Sequence, residues 1–377
     1  MEVLKAVARR QRSHGDAILL CVGQPATPAP RAVLAAAHAA LESDPLGYTE
    51  ALGILPLRQR IARHYAEQYG VQVDPDEVVV TTGSSGGFVL ALLAAFDAGD
   101  RVAMTRPGYP AYRNDIEALG CQVVDLVCSA DTRYQPTVSL LNSLLESPAG
   151  LVIASPANPT GTIIEASELA ALSKWCASRD CLLISDEIYH GITYGRDCAT
   201  AWQFDRENTV VVGSVSKFQS MTGWRLGWLL VPARLRRTIE LLQGNLAICA
   251  PAISQAAALA AFDAAARVEC EGHVARYAAN RELLLRRLPE IGVTSFAPPD
   301  GAFYAYCDVS HLTDDSQAWC ADVLAATGVA LAPGIDFDPV SGRRFVRLSF
   351  CGQTSALEEA LDRLVAHLRS PAPGRPD

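Results

Sequence analysis

The stretch Thr209–Val231, TVVVGSVSKFQSMTGWRLGWLLV, decides how the rest of the chain is read. Val210–Val212 is a β-branched run that reads as a buried strand, and Gly213 breaks it into a polar turn holding Ser214, Ser216 and Lys217, with Arg225 eight residues past the lysine. A strand therefore delivers one lysine with anion-binding groups on both sides. A lysine amine becomes a covalent catalyst when it can form a Schiff base with a carbonyl. A carbonyl cofactor that also carries a phosphate needs hydroxyls and a guanidinium near that amine. Strand-turn segments with a serine and a lysine are also common as plain solvated connections, so the neighbouring sequence has to decide.

Working outward, the same rhythm recurs. The strand Val78–Thr81 closes on TTGSSGG and opens into an apolar helix around 88–96; a helix N-terminus behind a small-residue turn suits a phosphate, and equally suits capping by Ser84 or Ser85. Neither GxGxxG nor a P-loop lysine occurs there, which disfavours a dinucleotide or ATP. Strand, PGYPAY turn, helix and strand follow from Arg101 to Leu126. Two later strands, Leu151–Ala154 and Leu182–Ser185, run into SPANPTG and DEIYHG. Three successive strands thus stop at polar side chains, and open α/β sheets bind ligands beyond the carboxyl ends of their strands.

Composition bounds the rest. The chain has 377 residues, half of them apolar and 19% charged, with a formal net charge of −9 and no basic cluster. These values fit a globular protein of two or three domains acting on small molecules, without the footprint of a nucleic-acid or anionic-membrane binder. The 11 cysteines form no CxxC pair and have no histidine at metal-ligand spacing, so buried thiols in a reducing cytoplasm are expected, with no metal. No leader-like N-terminus and no apolar run of about 20 residues is seen, so neither export nor a membrane span is expected.

SPANPTG, SDEIY, SVSKFQSMTGWR and RFVRLSF, together with GYTEALGILPLRQRIA, TTGSSGG and PGYPAY, resemble the ordered motif set of the pyridoxal-phosphate-dependent class I/II aminotransferases. Each motif is short, but their common order covers nearly the whole chain. The resemblance implies the fold-type-I architecture: α/β, with a large, mostly parallel sheet flanked by helices plus a smaller α+β domain. The expected division is 41–278 for the large cofactor-binding domain, with 1–40 and 279–377 forming the N-terminal arm and C-terminal small domain. The tail SPAPGRPD is expected to be disordered.

Carried over residue by residue, the resemblance implies the following roles. Lys217 holds pyridoxal 5′-phosphate as a Schiff base and later shuttles the substrate proton. Asp186 faces the pyridine nitrogen, where an opposite charge at about 4 Å and an effective dielectric near 20 is worth ~4 kcal/mol, roughly three pKa units. Tyr189 and Asn158 hydrogen-bond the ring oxygen, and Tyr109 stacks on the ring. Ser84, Ser85, Ser214 and Arg225 hold the phosphate. Tyr48 reaches the phosphate from the neighbouring subunit, which implies a homodimer with shared sites. Arg347 and the backbone of Gly23 bind the substrate α-carboxylate, and His190 is read as a rim or core histidine.

Two departures stand out. The arm reads GQPAT where the family often has GEPDF, losing a carboxylate at Gln24, and Asp338 follows Phe337 where the late PG…FG turn has glycine. The expected activity is transfer of an amino group from an L-amino acid to a 2-oxo acid. A carbon–sulfur β-lyase of the same fold is the alternative, and a non-enzymatic cofactor-sensing regulator is a third class, though the basic DNA-binding segment such regulators carry ahead of the arm is not seen. No motif supplies a second cation for a distal carboxylate, so apolar, aromatic or broad donor use is expected.

Overall fold

Seven strands form the central sheet of the computed structural model, which describes residues 2–369; the tail SPAPGRPD lies outside the described residues. In chain order they are β1 Val78–Thr81, β2 Arg101–Arg106, β3 Gln122–Val127, β4 Gly150–Ala154, β5 Leu182–Asp186, β6 Thr209–Ser214 and β7 Gly227–Leu230. Their spatial order is β1-β7-β6-β5-β4-β2-β3, and only β7 runs against its neighbours.

The strands are near-continuous apolar runs because both faces are covered. Val80, Ala103, Ile153, Leu183 and Val211 pack into one layer, while Val79, Val102, Met104, Val152, Ile184 and Val212 pack into the other. Each of these buried valine, leucine, isoleucine and methionine side chains contributes about 1.5–3 kcal/mol relative to exposure. Register aligns the strand ends: Ala154 pairs with Asp186, and Asp186 with Val212, so the polar residues that follow emerge along one edge.

The first helix behind β1 begins earlier than the apolar run suggests, spanning Gly83–Ala95, so the small-residue turn is itself the helix's first turn. Past the helices Ala233–Leu246 and Ala252–Ala258 the chain forms one 24-residue helix, Ala264–Arg287. Gly272 lies inside it with open space where a Cβ would be, while Tyr277, Asn280 and Leu284 are buried, so packing on one side outweighs the glycine's low propensity.

Beyond that helix, β8 Tyr304–Asp308, β9 Ala332–Pro333 and β10 Phe345–Ser349 form an antiparallel sheet in the order β9-β10-β8. The arm joins this unit: Ile18–Leu19 pairs in parallel with Val329–Ala330, and Ser349 N donates to the Leu20 carbonyl at 2.7 Å.

Candidate active site

The ends of β1, β2, β4, β5 and β6 open into a cleft of about 610 Å³, closed on its other side by Gly23, Gln24, Tyr304, Phe337 and Arg347. The turn after β6 explains how Lys217 enters it. Ser216 N donates to Ser214 Oγ at 3.1 Å, and the Ser214 hydroxyl lies 2.8 Å from Ser216 Oγ and 3.1 Å from the Leu226 carbonyl. These bonds hold the turn and aim the lysine outward, where Nζ donates to the Gly23 carbonyl at 2.9 Å. Burial pushes the Lys217 amine down to about 8, and the positive charges of Arg347 and Arg225 act in the same direction, against Cys351 and Asp186.

Asp186, at the end of β5, is buried and pushed up to about 6 by that burial. The Tyr112 hydroxyl and Ile188 N donate to its two oxygens, and among the described residues no lysine or arginine forms an ion pair with it. Tyr189 lies beside it, with its hydroxyl 2.7 Å from that of Tyr304. Tyr109 packs edge-on against Tyr112, their ring centroids 5.4 Å apart.

At one end of the cleft, Ser84 and Ser85 occupy the first turn of the helix Gly83–Ala95, where backbone N–H groups have no helical acceptor. Arg225 lies over this turn: a Cβ on Gly83 would fall 2.4 Å from Arg225 Nη2, and Gly83 also has φ +71°, so glycine is required there. Arg225 Nη1 donates to the Thr222 carbonyl at 2.9 Å.

At the other end Arg347, on β10, donates from Nη1 to Asn158 Oδ1 at 2.8 Å and from Nη2 to the Cys21 carbonyl at 2.6 Å. Its guanidinium lies between the rings of Tyr304 and Phe337, 4.3 and 4.7 Å from their centroids. The approach of Gly23 is so close that a Cβ there would sit 1.7 Å from Tyr304 Oη.

Gly23, Ser84, Ser85, Tyr109, Asn158, Asp186, Tyr189, Lys217, Arg225 and Arg347 therefore meet in one cleft. Two others do not. The Ser214 side chain is turned into its own loop, and Ser216 lines the cleft instead. Tyr48 stands outside, 84% exposed, on a segment held to the 249–255 region by Thr49 N to Cys249 Sγ and by Gln255 Nε2 to Thr49 Oγ1.

His190 is a core residue: Nδ1 lies 2.7 Å from the Tyr69 hydroxyl, and burial pushes its pKa down to about 3, leaving it neutral. The sequence reading missed Tyr112, Tyr304 and Phe337 as cleft residues, and it placed Ser216 in the turn but gave the phosphate to Ser214. The second tyrosine of PGYPAY and the aromatic cluster of GAFYAY were the available signals. Among the described residues no cluster of His, Cys, Asp or Glu could hold a metal ion, and no helix is long and apolar enough to cross a membrane.

A parallel sheet that delivers a buried carboxylate and a lysine to one cleft, with an anion-binding helix start at one end and a fixed guanidinium at the other, defines a fold-type-I enzyme. The chain belongs to the class I and II aminotransferases, whose family profile matches residues 15–364, and it is an aminotransferase. It is 55% identical over 98% of its length, and 96% of the relative's, to a valine–pyruvate aminotransferase of Mycobacterium tuberculosis. An aspartate aminotransferase of Thermotoga maritima is 32% identical, over 94% of this chain and 92% of that one. A crystal structure of an aminotransferase from M. tuberculosis superposes with a TM-score of 0.96 at 55% identity, covering 98% of this chain and 95% of the other.

Proposed function

We propose that the cleft binds pyridoxal 5′-phosphate through Lys217 and transfers the amino group of a small apolar L-amino acid of the valine class to pyruvate or a similar 2-oxo acid. The observation that carries this reading is the Lys217 amine, pushed down to about 8 by burial and lying between the ends of a cleft that holds Asp186 and Arg347. The donor set fits the group. Asp186 is a buried carboxylate without a cationic partner among the described residues, which suits a protonated ring nitrogen. The N–H groups of Ser84 and Ser85, the Ser216 hydroxyl and Arg225 suit a phosphate.

When bound, the cofactor supplies a carbonyl for Schiff-base exchange and a ring that accepts electrons. The protein's residues do the rest. Lys217 Nζ would be the attachment point and, when free, the base that takes the proton from the donor's α-carbon. Asp186, its carboxylate held in place by the Tyr112 hydroxyl, would keep the ring nitrogen protonated. Asn158 and Tyr189 would hold the ring oxygen by hydrogen bonds, and Tyr109 would pack on the ring. Arg347, prearranged by Asn158, Cys21 and two aromatic rings, grips the α-carboxylate and so orients the scissile C–H bond. Gly23 lets the arm approach closely enough for its backbone to border the same carboxylate.

The 41–278 unit and the arm-plus-C-terminal unit are read as two domains that close over the donor. The chain is further read as a homodimer. Tyr48 is exposed, as are Leu246 and Ile248, and Thr49 N meets Cys249 Sγ between the two segments; a second copy would cover these side chains and bring Tyr48 to its neighbour's phosphate. The testing experiment mixes purified protein with L-valine alone and then with pyruvate. One equivalent of 2-oxo acid should appear first, and one of alanine second; valine that leaves the cofactor unchanged counts against this donor class.

A further inference from the structure

The turn at Gly334–Asp338 carries a residue that the reading above leaves unused. Gly334 has no room for a side chain, since a Cβ would meet the carbonyls of Gly342 and Phe345 at 2.5 Å. Phe337 lies over the Arg347 guanidinium, and its carbonyl accepts from Gly108 N at 3.0 Å. Asp338, the departure from glycine, is buried; its Oδ1 accepts from Val340 N at 2.9 Å and Ser341 N at 2.8 Å and lies 3.3 Å from Arg106 Nε. The turn is thereby pinned to the end of β2, just before the PGYP segment. Asp336, next to the pinned ring, is presented at the mouth of the cleft.

The wall around it is apolar, with Val3, Leu4, Val22, Ala332 and Phe337. Across the cleft lies a second carboxylate, Asp115, on the helix Pro110–Ala118. Neither carboxylate forms an ion pair with a lysine or arginine among the described residues, and burial raises the pKa of both, with Arg347 partly opposing this at Asp336. Among the described residues the cationic side chains lining the cleft are Lys217, Arg225 and Arg347, and the proposed function uses all three.

We infer that Asp336, held by the Asp338 anchor and seconded by Asp115, is the specificity determinant that sets this cleft against substrates with a distal carboxylate. A dicarboxylic amino acid gripped at its α-carboxylate by Arg347 would have to put its second carboxylate among apolar groups and two like charges, without a further lysine or arginine among the described residues to receive it. The donor and acceptor are then both monocarboxylic, and glutamate and 2-oxoglutarate are poor partners. This rests on the reading of Arg347 as the α-carboxylate holder.

The test measures equilibrium binding of isovalerate and glutarate, the mono- and dicarboxylate probes, to the purified holoenzyme by calorimetry. The native protein should bind isovalerate at least about tenfold more tightly than glutarate. Asp336→Asn should lower that ratio by about threefold or more, and Asp336→Lys by about tenfold or more, with a smaller decrease for Asp115→Asn. A ratio between two ligands on one protein is insensitive to partial unfolding and does not need turnover. A native ratio near one, or a ratio unchanged in both Asp336 variants, would overturn the inference while leaving the Arg347 reading in place. Failure of the native protein to bind either probe would overturn the Arg347 reading, and the inference with it.

Discussion

Arg347 and Asn158, 189 residues apart in the chain, meet at 2.8 Å, with Nη1 donating to Oδ1. The bond joins the loop beyond β4 to β10, and so ties the large sheet to the small one at the point where a substrate carboxylate would bind. The guanidinium is buried, held by the Cys21 carbonyl on its second arm and flanked by Tyr304 and Phe337; Nε has no hydrogen-bond partner among the described residues. A buried charge so constrained retains its direction before any substrate arrives.

Arg347→Lys keeps the charge and loses the fork, leaving Asn158 Oδ1 or the Cys21 carbonyl without its donor, a loss of about 1–3 kcal/mol. The Michaelis constant for every amino acid tested should rise by about tenfold or more, with a slower chemical step through poorer orientation. Steady-state kinetics with several donors check this, and a native profile would mean that another group binds the α-carboxylate.

Lys217 makes a prediction about pH. Only the neutral amine attacks a carbonyl, and an amine whose pKa is pushed down to about 8 is roughly one-tenth neutral at pH 7, against a few parts in ten thousand for an ordinary lysine. The rate at which cofactor-free protein takes up pyridoxal phosphate should rise with pH and level off above about 8. Borohydride should then fix the cofactor on Lys217 alone, and Lys217→Ala should retain cofactor without a covalent link. A rate still climbing toward pH 10, or an adduct mapped to another lysine, contradicts the assignment.

How much of this was legible in the sequence depends on how local each cause is. Buried parallel strands announce themselves as apolar runs, and a run that stops at Asp186 or enters a turn at Ser214–Lys217 marks the strand ends that border the cleft. Side-chain direction is less local. Ser214 and Ser216 sit in the same turn, and only the position of the Leu226 carbonyl decides that Ser214 turns inward. Tyr112 reaches Asp186 from 74 residues away, and Tyr304 and Phe337 reach Arg347 from different segments, so no spacing rule finds them. Asp338 shows the opposite case. It was visible as a departure, yet its role as an anchor needed Arg106 and two backbone N–H groups to be seen beside it.

Tyr48 leads to a complementation experiment. If it serves the neighbouring subunit's phosphate, Tyr48→Ala and Lys217→Ala proteins should each be nearly inactive, while their hybrid dimer should contain one intact site. Mixing the two under conditions where subunits exchange should restore activity toward one-quarter of native, because about half the dimers are hybrids with one working site of two. A mixture that stays as inactive as its parents after exchange has been confirmed by mass would mean that each site is complete within one chain.

The last prediction separates amino transfer from elimination. The cleft places a buried aspartate and a lysine amine together, and the roles proposed for its residues assign none to protonating a sulfur leaving group. That arrangement favours moving the α-proton back by way of Lys217 over expelling a β-substituent. With an amino donor and no 2-oxo acid, the visible absorbance of the lysine-linked cofactor should disappear in a single turnover, leaving one equivalent of 2-oxo acid, and addition of a second 2-oxo acid should restore it. Steady release of ammonia and pyruvate from cysteine or cystathionine, with the absorbance unchanged, would show elimination instead. The same measurement ranks donors: valine and other apolar amino acids should deplete the absorbance faster than glutamate or aspartate, and the reverse order would contradict the monocarboxylate pocket as well as the donor class.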